Sequence, residues 1–555
     1  MAPASPANAP SADPAYRETS DMTHSHPTPQ QLLREKILER LGSDAVIAES
    51  GADSIFATDV YSGDQPPALI VQPQSRASVG PIVEIATSMG FAITQRGGGM
   101  SYTGGYIPRQ SNTVMLDLSA LNQIIAIDEE DLVITVEAGV TWQQIWEALT
   151  PLGLRLPFFG TFSGSRATVG GGLSNGALFM GTARYGSAAD IVVGMEIVDG
   201  RGRLIQTGQA AFRNGRPGFR HYGPDLTGLF VHDAGALGVK TLASLRMMPM
   251  PQASDYASFA FATQSEVVRA LSVIGRSGYC EEAYVFDPAT TRRSLDPATL
   301  MRDISRLGNV VRSQSSMLKG LREGAKMAMA GRRFVEDSVY TLHCVCAGRS
   351  THSVKDDRSG VIRLATEQGG VEISNTIPKA ARANPFEPLN GILGSQGERW
   401  AALNSKVPHS DAQRLIAATE AAVDPFRERM AQHGVTMSFL YIAISQHIFS
   451  YEPVLRWFDE WLPIHRHVPE PDFIASLQEP PPNPEGRALV DEIRSRIVEV
   501  FAEFGAASNQ IGKTYPMLAN LNSDSRKVLE TLKRELDPQG LINPGVLGDF
   551  DALSP

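Results

Sequence analysis

The stretch Gln95-Arg96-Gly97-Gly98-Gly99-Met100-Ser101-Tyr102-Thr103-Gly104-Gly105 follows the apolar run Phe91-Ala92-Ile93, which is typical of a buried strand. Three consecutive glycines let the backbone adopt positive φ angles and approach a ligand closely. Consecutive exposed N–H groups in such a turn form a cradle for an anion, to which Ser101 and Thr103 add hydroxyl donors. Taken alone, the stretch predicts a phosphate-binding loop at the end of a strand.

The composition of the 555-residue chain excludes several classes of protein. A hydrophobic content of 42% and a charged content of 20% are typical of a globular protein, and the length predicts two or more domains. The net charge of −10 argues against a nucleic-acid partner, which needs clustered Lys and Arg. No apolar run is long enough to span a bilayer, so we expect no transmembrane segment.

The three cysteines predict neither a disulfide framework nor a metal site. Alternation along the predicted strand 339–346 places Cys344 and Cys346 on one face and His343 on the other, which is awkward for a shared metal ion. Cys280 stands alone, and thiols packed in a core are the simpler interpretation. This usage suits a reducing compartment, so we predict a cytoplasmic location.

The pattern of strands and helices changes along the chain. Residues 1–28 lack apolar periodicity and a secretory signal pattern, and we predict disorder there. Strands alternate with helices from residue 68 onward, whereas two strand–helix–strand sets after residue 252 predict an antiparallel sheet with helices on one face. The basic, Met-rich stretch 302–333 is expected to form a solvated helix pair, and docking to a membrane or partner is left open.

A second glycine-rich block gives the first loop its context. Residues 156–161 and 167–176 contain Gly160, the triplet 170–172 and several hydroxyl side chains, which suit a flat ring or a phosphate against the backbone. Two further blocks follow at 184–198 and 225–241. No Gly-x-Gly-x-x-Gly motif opens a helix near the start, so the site is not of the Rossmann type.

The order and spacing of these four blocks resemble the FAD-linked oxidases of the vanillyl-alcohol oxidase type, whose FAD-binding domain is PCMH-type. The family includes members similar to D-lactate or glycolate dehydrogenases and to phenol or aryl-alcohol oxidases. The resemblance implies an α+β fold: a PCMH-type FAD-binding domain of two α/β subdomains, plus a ferredoxin-like antiparallel-sheet cap domain. It places the FAD-binding domain at 29–251, the substrate or cap domain at 252–485, and a C-terminal segment returning to the FAD domain at 486–555.

The resemblance also implies which residues bind FAD. Those expected at the pyrophosphate are Arg96, Gly97, Gly98, Gly99, Met100 and Ser101. Those expected along the isoalloxazine ring and ribityl chain are Gly160, Thr161, Thr168, Gly170, Gly171 and Asn175, with Tyr185 and Gly186 close by. Val198 and Val239 are expected to meet the cofactor through backbone groups.

Departures from the family pattern refine these expectations. Met100 stands where many relatives carry a histidine bonded covalently to the flavin, and a thioether cannot form that bond, so we predict non-covalent FAD. The family's paired-histidine metal motif is missing from the cap, so we predict no divalent metal, and the case for a 2-hydroxy-acid substrate weakens with it.

Three residues are candidates for catalysis. His447 lies in the aromatic, apolar run 439–451, where the family's cap faces the flavin, and an imidazole is the commonest base near neutral pH. Tyr451 is a second candidate for positioning substrate, and Asn509 a third. A half-buried structural histidine and a core tyrosine remain the alternatives. Arg399 is a candidate for binding a carboxylate, or forms a cap salt bridge instead.

The expected reaction is hydride transfer to flavin N5 from a small organic alcohol or hydroxy acid, with an aromatic substrate included. Flavin supplies the redox chemistry, and electrons then pass to oxygen, a quinone or a cytochrome. A homo-oligomer is left open. The alternatives are a non-redox flavin enzyme of the alkyl-glycerone-phosphate synthase type and a degenerate flavin-binding protein.

Overall fold

The structure is a computed structural model that describes residues 27–48, 51, 54–221, 223–294, 339–548 and 550. Almost all of the predicted disordered N-terminus, and the whole basic stretch 302–333, lie outside the described residues.

The first subdomain is a four-stranded sheet that ends at the glycine loop. Its strands, in the order β1-β2-β4-β3, are β1 (Ala45–Ala48), β2 (Leu69–Pro73), β3 (Ala92–Arg96) and β4 (Thr113–Asp117). Strands β2, β4 and β3 run parallel, and β1 is antiparallel to β2. The helices Pro29–Leu41 and Arg76–Ser88 pack on this sheet, and the first begins at a capping box between Thr28 and Gln31.

The second subdomain is an antiparallel sheet of five strands, ordered β5-β6-β10-β8-β9. The strands are β5 (Ile124–Asp128), β6 (Val133–Glu137), β8 (Val192–Val198), β9 (Leu204–Gln206) and β10 (Val239–Arg246), and the short β7 (Leu154–Arg155) pairs with β11 (Met248–Pro249). Its core contains Trp142 and Phe158, whose rings meet edge to face at 5.1 Å. The helices are Trp142–Leu149, Val169–Asn175, Thr182–Tyr185, Ala188–Ile191 and Leu226–Leu229.

The cap is one antiparallel sheet, ordered β15-β12-β14-β13-β18-β19-β16, with β17 paired to β19. Its strands are β12 (Ala253–Phe261), β13 (Glu282–Phe286), β14 (Tyr340–Gly348), β15 (Val371–Ile373), β16 (Arg399–Ala402), β17 (Ser405–Pro408), β18 (Thr436–Ile444) and β19 (Ile448–Trp457). Its helices are Gln264–Ser277, Pro288–Ser294, Thr351–Glu367, Thr376–Ala383, Ala412–Val423, Arg427–Gln432, Pro463–His467, Pro471–Ala475 and Pro484–Glu503. The predicted α+β class, with an antiparallel cap sheet, is confirmed.

The two faces of the cap sheet have different partners. Tyr441, Phe449 and Tyr451 lie on the face covered by helices and belong to the largest core cluster. Because side chains alternate along a strand, Leu440 and Glu452 lie on the opposite face, where they line a cavity against the glycine loops. This alternation decides which side chains of the cap reach the candidate site.

The C-terminal segment first packs on the cap and then reaches the first subdomain. The helix Pro484–Glu503 packs into the core of the cap through Leu489, Ile493 and Ile497. The helices Met517–Asn520 and Ser523–Leu536 follow. The chain then joins β3, where the Ile93 amide donates to the Leu541 carbonyl at 2.8 Å and the Asn543 amide donates to the Ile93 carbonyl at 2.7 Å.

Candidate active site

A cavity of about 550 Å³ lies between the two glycine-rich loops and the cap sheet. This volume falls within the range usual for sites that bind small molecules and cofactors. The wall on the FAD-domain side combines the two glycine-rich loops with larger side chains such as Tyr102, Tyr106 and Phe179. The wall on the cap side comes from β18 and β19, together with Phe286 and Trp400.

The first loop presents unpaired backbone donors. Among the described residues, no acceptor pairs with the amide groups of Gly98, Gly99 and Met100. Gly99 adopts a φ of +72°, which glycine reaches without strain. Consecutive free amides in such a turn bind an anion, as a phosphate group requires.

The second loop packs so closely against the first that only glycine fits at the contact positions. A Cβ added at Gly97 would lie 2.2 Å from Thr168 Oγ1, and one added at Gly98 would lie 2.0 Å from the carbonyl oxygen of Arg166. Thr168 begins the short helix Val169–Asn175, and the Gly170 amide donates to the Ala138 carbonyl at 2.8 Å. The glycines therefore hold two backbone segments at a separation that larger residues would not allow.

Several buried polar atoms at the cavity have no hydrogen-bond partner within the described residues. They belong to residues from both domains, namely Arg96 (Nε and Nη2), Gln95 (Oε1), Asn509 (Oδ1) and Gln510 (Oε1). Such groups are costly unless a ligand satisfies them. FAD carries phosphate groups and a flat ring with polar edges. The free backbone amides and the Arg96 cation suit the phosphates, and the amide side chains suit the ring edges.

The cap places the carboxyl group of Glu452 among apolar side chains of the cavity wall. Glu452 faces the cavity beside Leu440 and Val454, and burial raises the pKa of its carboxyl from 4.5 to about 7. Burial and the nearby Glu452 charge together raise the pKa of Tyr102, whose ring lies 5.3 Å from that of Trp400. A carboxyl that titrates near neutrality can accept a proton at physiological pH.

Two of the three predicted catalytic residues lie away from this cavity. His447 is exposed in the turn between β18 and β19, where its Nδ1 lies 2.7 Å from the Ser445 carbonyl oxygen. Tyr451 is fully buried on the helix-covered face of the sheet. Only Asn509 lines the cavity, and its amide donates to Asn404 Oδ1. The positions of His447 and Tyr451 correct the expectation that they contact substrate.

Arg399, a predicted candidate for binding a substrate carboxylate, also lies away from the cavity. Arg399 is 2% exposed, and its Nη1 donates to Asp459 Oδ2 at 2.9 Å. It therefore belongs to a buried ion pair within the cap. Among the described residues, no group of three metal-ligating side chains comes together.

Eleven of the sixteen residues predicted to bind FAD line the cavity, namely Arg96, Gly97, Gly98, Gly99, Met100, Ser101, Thr161, Thr168, Gly170, Gly171 and Asn175. The other five have different neighbours. Gly160 packs on Phe386, the Tyr185 hydroxyl donates to Glu281, and Gly186 packs on Asp190. Val198 and Val239 pair with each other across β8 and β10 in the core of the first subdomain.

Sequence reasoning missed several lining residues. Glu452, Trp400 and Lys240 all line the cavity, and Lys240 forms a buried ion pair with Asp233 at 2.6 Å. Two-residue periodicity along β19 could have separated the face of Glu452 from that of Tyr451. The sequence around Lys240 contains no pattern that predicts a place in the cavity wall. Its position there depends on how the two subdomains pack together.

Comparison with known proteins agrees with this geometry. Residues 67–208 match the family described as the FAD binding domain. The mitochondrial D-lactate dehydrogenase [cytochrome] of Kluyveromyces lactis is 28% identical over 91% of this chain and 77% of its own length. Glycolate oxidase subunit GlcD of Bacillus subtilis is 31% identical over 40% of this chain, and the match spans 45% of that relative, less than half of its length.

Solved structures share the fold over nearly the whole chain. p-Cresol methylhydroxylase with substrate bound is 18% identical with a TM-score of 0.70, covering 95% of this chain and 98% of its own. Alkyldihydroxyacetonephosphate synthase is 16% identical with a TM-score of 0.64, covering 92% and 84%. These likenesses show that the chain has the fold the sequence predicts. The chain therefore carries a match to an FAD binding domain over residues 67–208 and resembles FAD-linked oxidases, as the sequence predicts. Within the described part of the chain, none of the helices has the length and apolarity to cross a membrane.

Proposed function

We propose that this protein is an FAD-dependent oxidoreductase that removes hydride from a small organic alcohol or hydroxy acid, with Glu452 as the general base. The observation that carries the proposal is the Glu452 carboxyl, whose pKa of about 7 is set by burial on the cavity face opposite the glycine loops. A base is most effective when its pKa lies near the operating pH. Glu452 takes the role that the sequence assigned to His447.

The residues that line the cavity have separate roles in binding the cofactor and in the reaction. FAD, when bound, supplies the acceptor for the hydride. The free amides of Gly98, Gly99 and Met100 hold its phosphates, and Asn175, Asn509 and Gln510 offer polar side chains along the ring. Glu452 accepts the hydroxyl proton of the substrate, while the apolar wall around Leu440 excludes water from the reacting atoms.

The spacing of charges on β19 favours a substrate with an apolar middle. Glu452, Val454 and Arg456 follow one another on the cavity face, and a strand rises about 3.3 Å per residue, which separates the outer two Cα atoms by about 13 Å. Burial raises the pKa of the Glu452 carboxyl to about 7. A 2-hydroxy acid, whose carboxylate adjoins the reacting carbon, spans this distance poorly. An aryl alcohol with a distal polar group suits it better.

Non-covalent attachment of FAD is part of the proposal. Met100 lines the cavity at the place of the family's linking histidine, and a thioether forms no histidyl bond. The described residues that line the cavity include no histidine or cysteine side chain, which supports attachment by contacts alone. Oxygen, a quinone and a cytochrome are the proposed electron acceptors.

Rapid-mixing experiments test this function. Anaerobic enzyme is mixed with aryl alcohols, glycolate and D-lactate, and flavin bleaching is followed. We expect faster bleaching with aryl alcohols than with 2-hydroxy acids, and an external acceptor consumed one for one in turnover. Turnover without acceptor consumption would favour the non-redox alternative, and a protein that binds no FAD would favour a degenerate site. Reoxidation of the bleached enzyme by each acceptor then separates an oxidase from a dehydrogenase.

A further inference from the structure

The interior of the first glycine loop is filled by a buried guanidinium group. Arg96 is 3% exposed, with its Cζ 4.8 Å from the centre of the Phe56 ring and 5.6 Å from that of Tyr106. The guanidinium packs against Gly99, where it occupies the space that a Cβ would need. Its Nε and Nη2 have no hydrogen-bond partner within the described residues, although Arg96 lines the cavity. A buried cation with two unused donors is costly unless an anion is bound beside it.

A second guanidinium group lies on the other side of the same loop. Arg166 borders a neighbouring polar cavity of about 610 Å³, which Arg96 also lines. Burial and the Arg96 charge both lower the pKa of Arg166, so the two cations lie close enough to repel each other. Asp117, a carboxylate that also lines this neighbouring cavity, accepts hydrogen bonds from Gln72 and from the Ser119 amide. Two cations that repel each other at one loop favour an anionic ligand beside them.

Arg166 and Tyr106 also fix the orientation of two consecutive peptide groups. Arg166 Nε donates to the Gly98 carbonyl at 2.7 Å, and the Tyr106 hydroxyl donates to the Gly99 carbonyl at 2.7 Å. In a trans peptide the C=O and N–H bonds point in opposite directions. The Gly99 and Met100 amides of these two peptides therefore point away from Arg166 and Tyr106, which leaves them available to a ligand.

We propose that the Arg96 side chain supplies the counter-charge for the FAD pyrophosphate, and that Arg166 is a positioning residue that orients the loop amides through the Gly98 carbonyl. The sequence predicts backbone amides at this place, with hydroxyl donors from Ser101 and Thr103, and assigns no role to the Arg96 side chain. The inference rests on the proposed binding of FAD in the cavity, and it adds a salt-dependent, charge-specific component to that binding.

Titration of the flavin-free protein tests the inference. FAD and riboflavin, which lacks the pyrophosphate, are titrated by flavin fluorescence at low and high salt. We expect Arg96→Gln to weaken FAD binding about thirtyfold and to flatten its salt dependence, with riboflavin affinity changed less than about twofold. Arg96→Lys keeps the charge and should recover part of the loss. Arg166→Gln should weaken FAD about fivefold, because it disturbs geometry and leaves the Arg96 charge in place.

A matched control separates local from global effects. Arg213 is exposed on the same domain, so Arg213→Gln removes one positive charge away from the loop and should leave FAD affinity and salt dependence unchanged. The inference is overturned if Arg96→Gln binds FAD within about twofold of the parent and with the same salt dependence. It is also overturned if FAD and riboflavin binding are lost equally and Arg96→Lys restores neither. A parent protein that binds no FAD would overturn the proposed function itself.

Discussion

Replacement of Glu452 by Gln should slow flavin reduction and stabilise the folded protein at the same time. The variant keeps the shape of the side chain and removes its ability to accept a proton. General-base catalysis contributes about a hundredfold to ten-thousandfold, which corresponds to about 3–5 kcal/mol of transition-state stabilisation. We expect a loss of that size in the rate of bleaching measured by stopped flow with an aryl alcohol.

The effect on stability follows from the direction of the Glu452 pKa shift. Burial raises this pKa from 4.5 to about 7, so the folded state favours the protonated carboxyl. The unfolded state ionises first as pH rises, and stability falls between pH 4.5 and about 7 by about 3 kcal/mol, since one unit of pKa corresponds to ~1.4 kcal/mol. Glu452→Gln removes this loss, so its free energy of unfolding should exceed that of the parent at pH 8 and match it at pH 4.

Denaturant unfolding at pH 4, 6 and 8 measures this difference alongside the bleaching rates. Glu372→Gln is the control, because Glu372 is exposed at the edge strand β15 and pairs with Arg358 far along the sheet from the cavity. The reasoning is refuted if Glu452→Gln reduces flavin at the parent rate, or if the variant is less stable than the parent at pH 8.

Three further substitutions test the placement of individual residues. His447→Ala should bleach with substrate at the parent rate, because His447 lies exposed in a hairpin turn; a hundredfold loss would restore it as the base. Tyr451→Phe removes a buried hydroxyl that has no partner within the described residues, so thermal unfolding should show unchanged or slightly higher stability, by up to about 1 kcal/mol; a loss above that would reveal a hidden partner. Gly98→Ala places a Cβ 2.0 Å from the Arg166 carbonyl oxygen and should abolish flavin retention on gel filtration, whereas Gly51→Ala, which meets open space, should retain it.

The glycine-rich wall of the cavity could be predicted from sequence because it depends on local backbone chemistry. Glycine runs that allow positive φ and close contact are visible in the chain itself, and Gly97, Gly98 and Gly170 all lie at such contacts. Val198 and Val239 pair with each other in a core and do not line the cavity, so their backbone contact with FAD stays a prediction. Whether a backbone group near the ends of β8 and β10 reaches the cavity depends on how two sheets meet.

The cap residues that face the cavity could not be predicted, because a turn divides an apolar run that has the composition of one continuous strand. Residues 439–451 have the aromatic and β-branched composition of a single strand, yet Ser445 and Gln446 adopt φ angles of +47° and +66° and reverse the chain. Neither is a glycine, so the turn carries no strong sequence signal. The reversal leaves His447 at the tip and sets the register that turns Tyr451 toward the helices and Glu452 toward the cavity.

The absorbance spectrum of the purified protein, recorded while an aryl alcohol is added without oxygen and followed by acid precipitation, tests the central claim most directly. We predict visible flavin bands that bleach on addition of substrate, and free FAD in the acid supernatant. A colourless protein that binds no added FAD would contradict the claim. Flavin that stays oxidised with every alcohol and hydroxy acid tried would contradict the proposed reaction, and flavin that remains on the acid-precipitated chain would contradict non-covalent attachment at Met100.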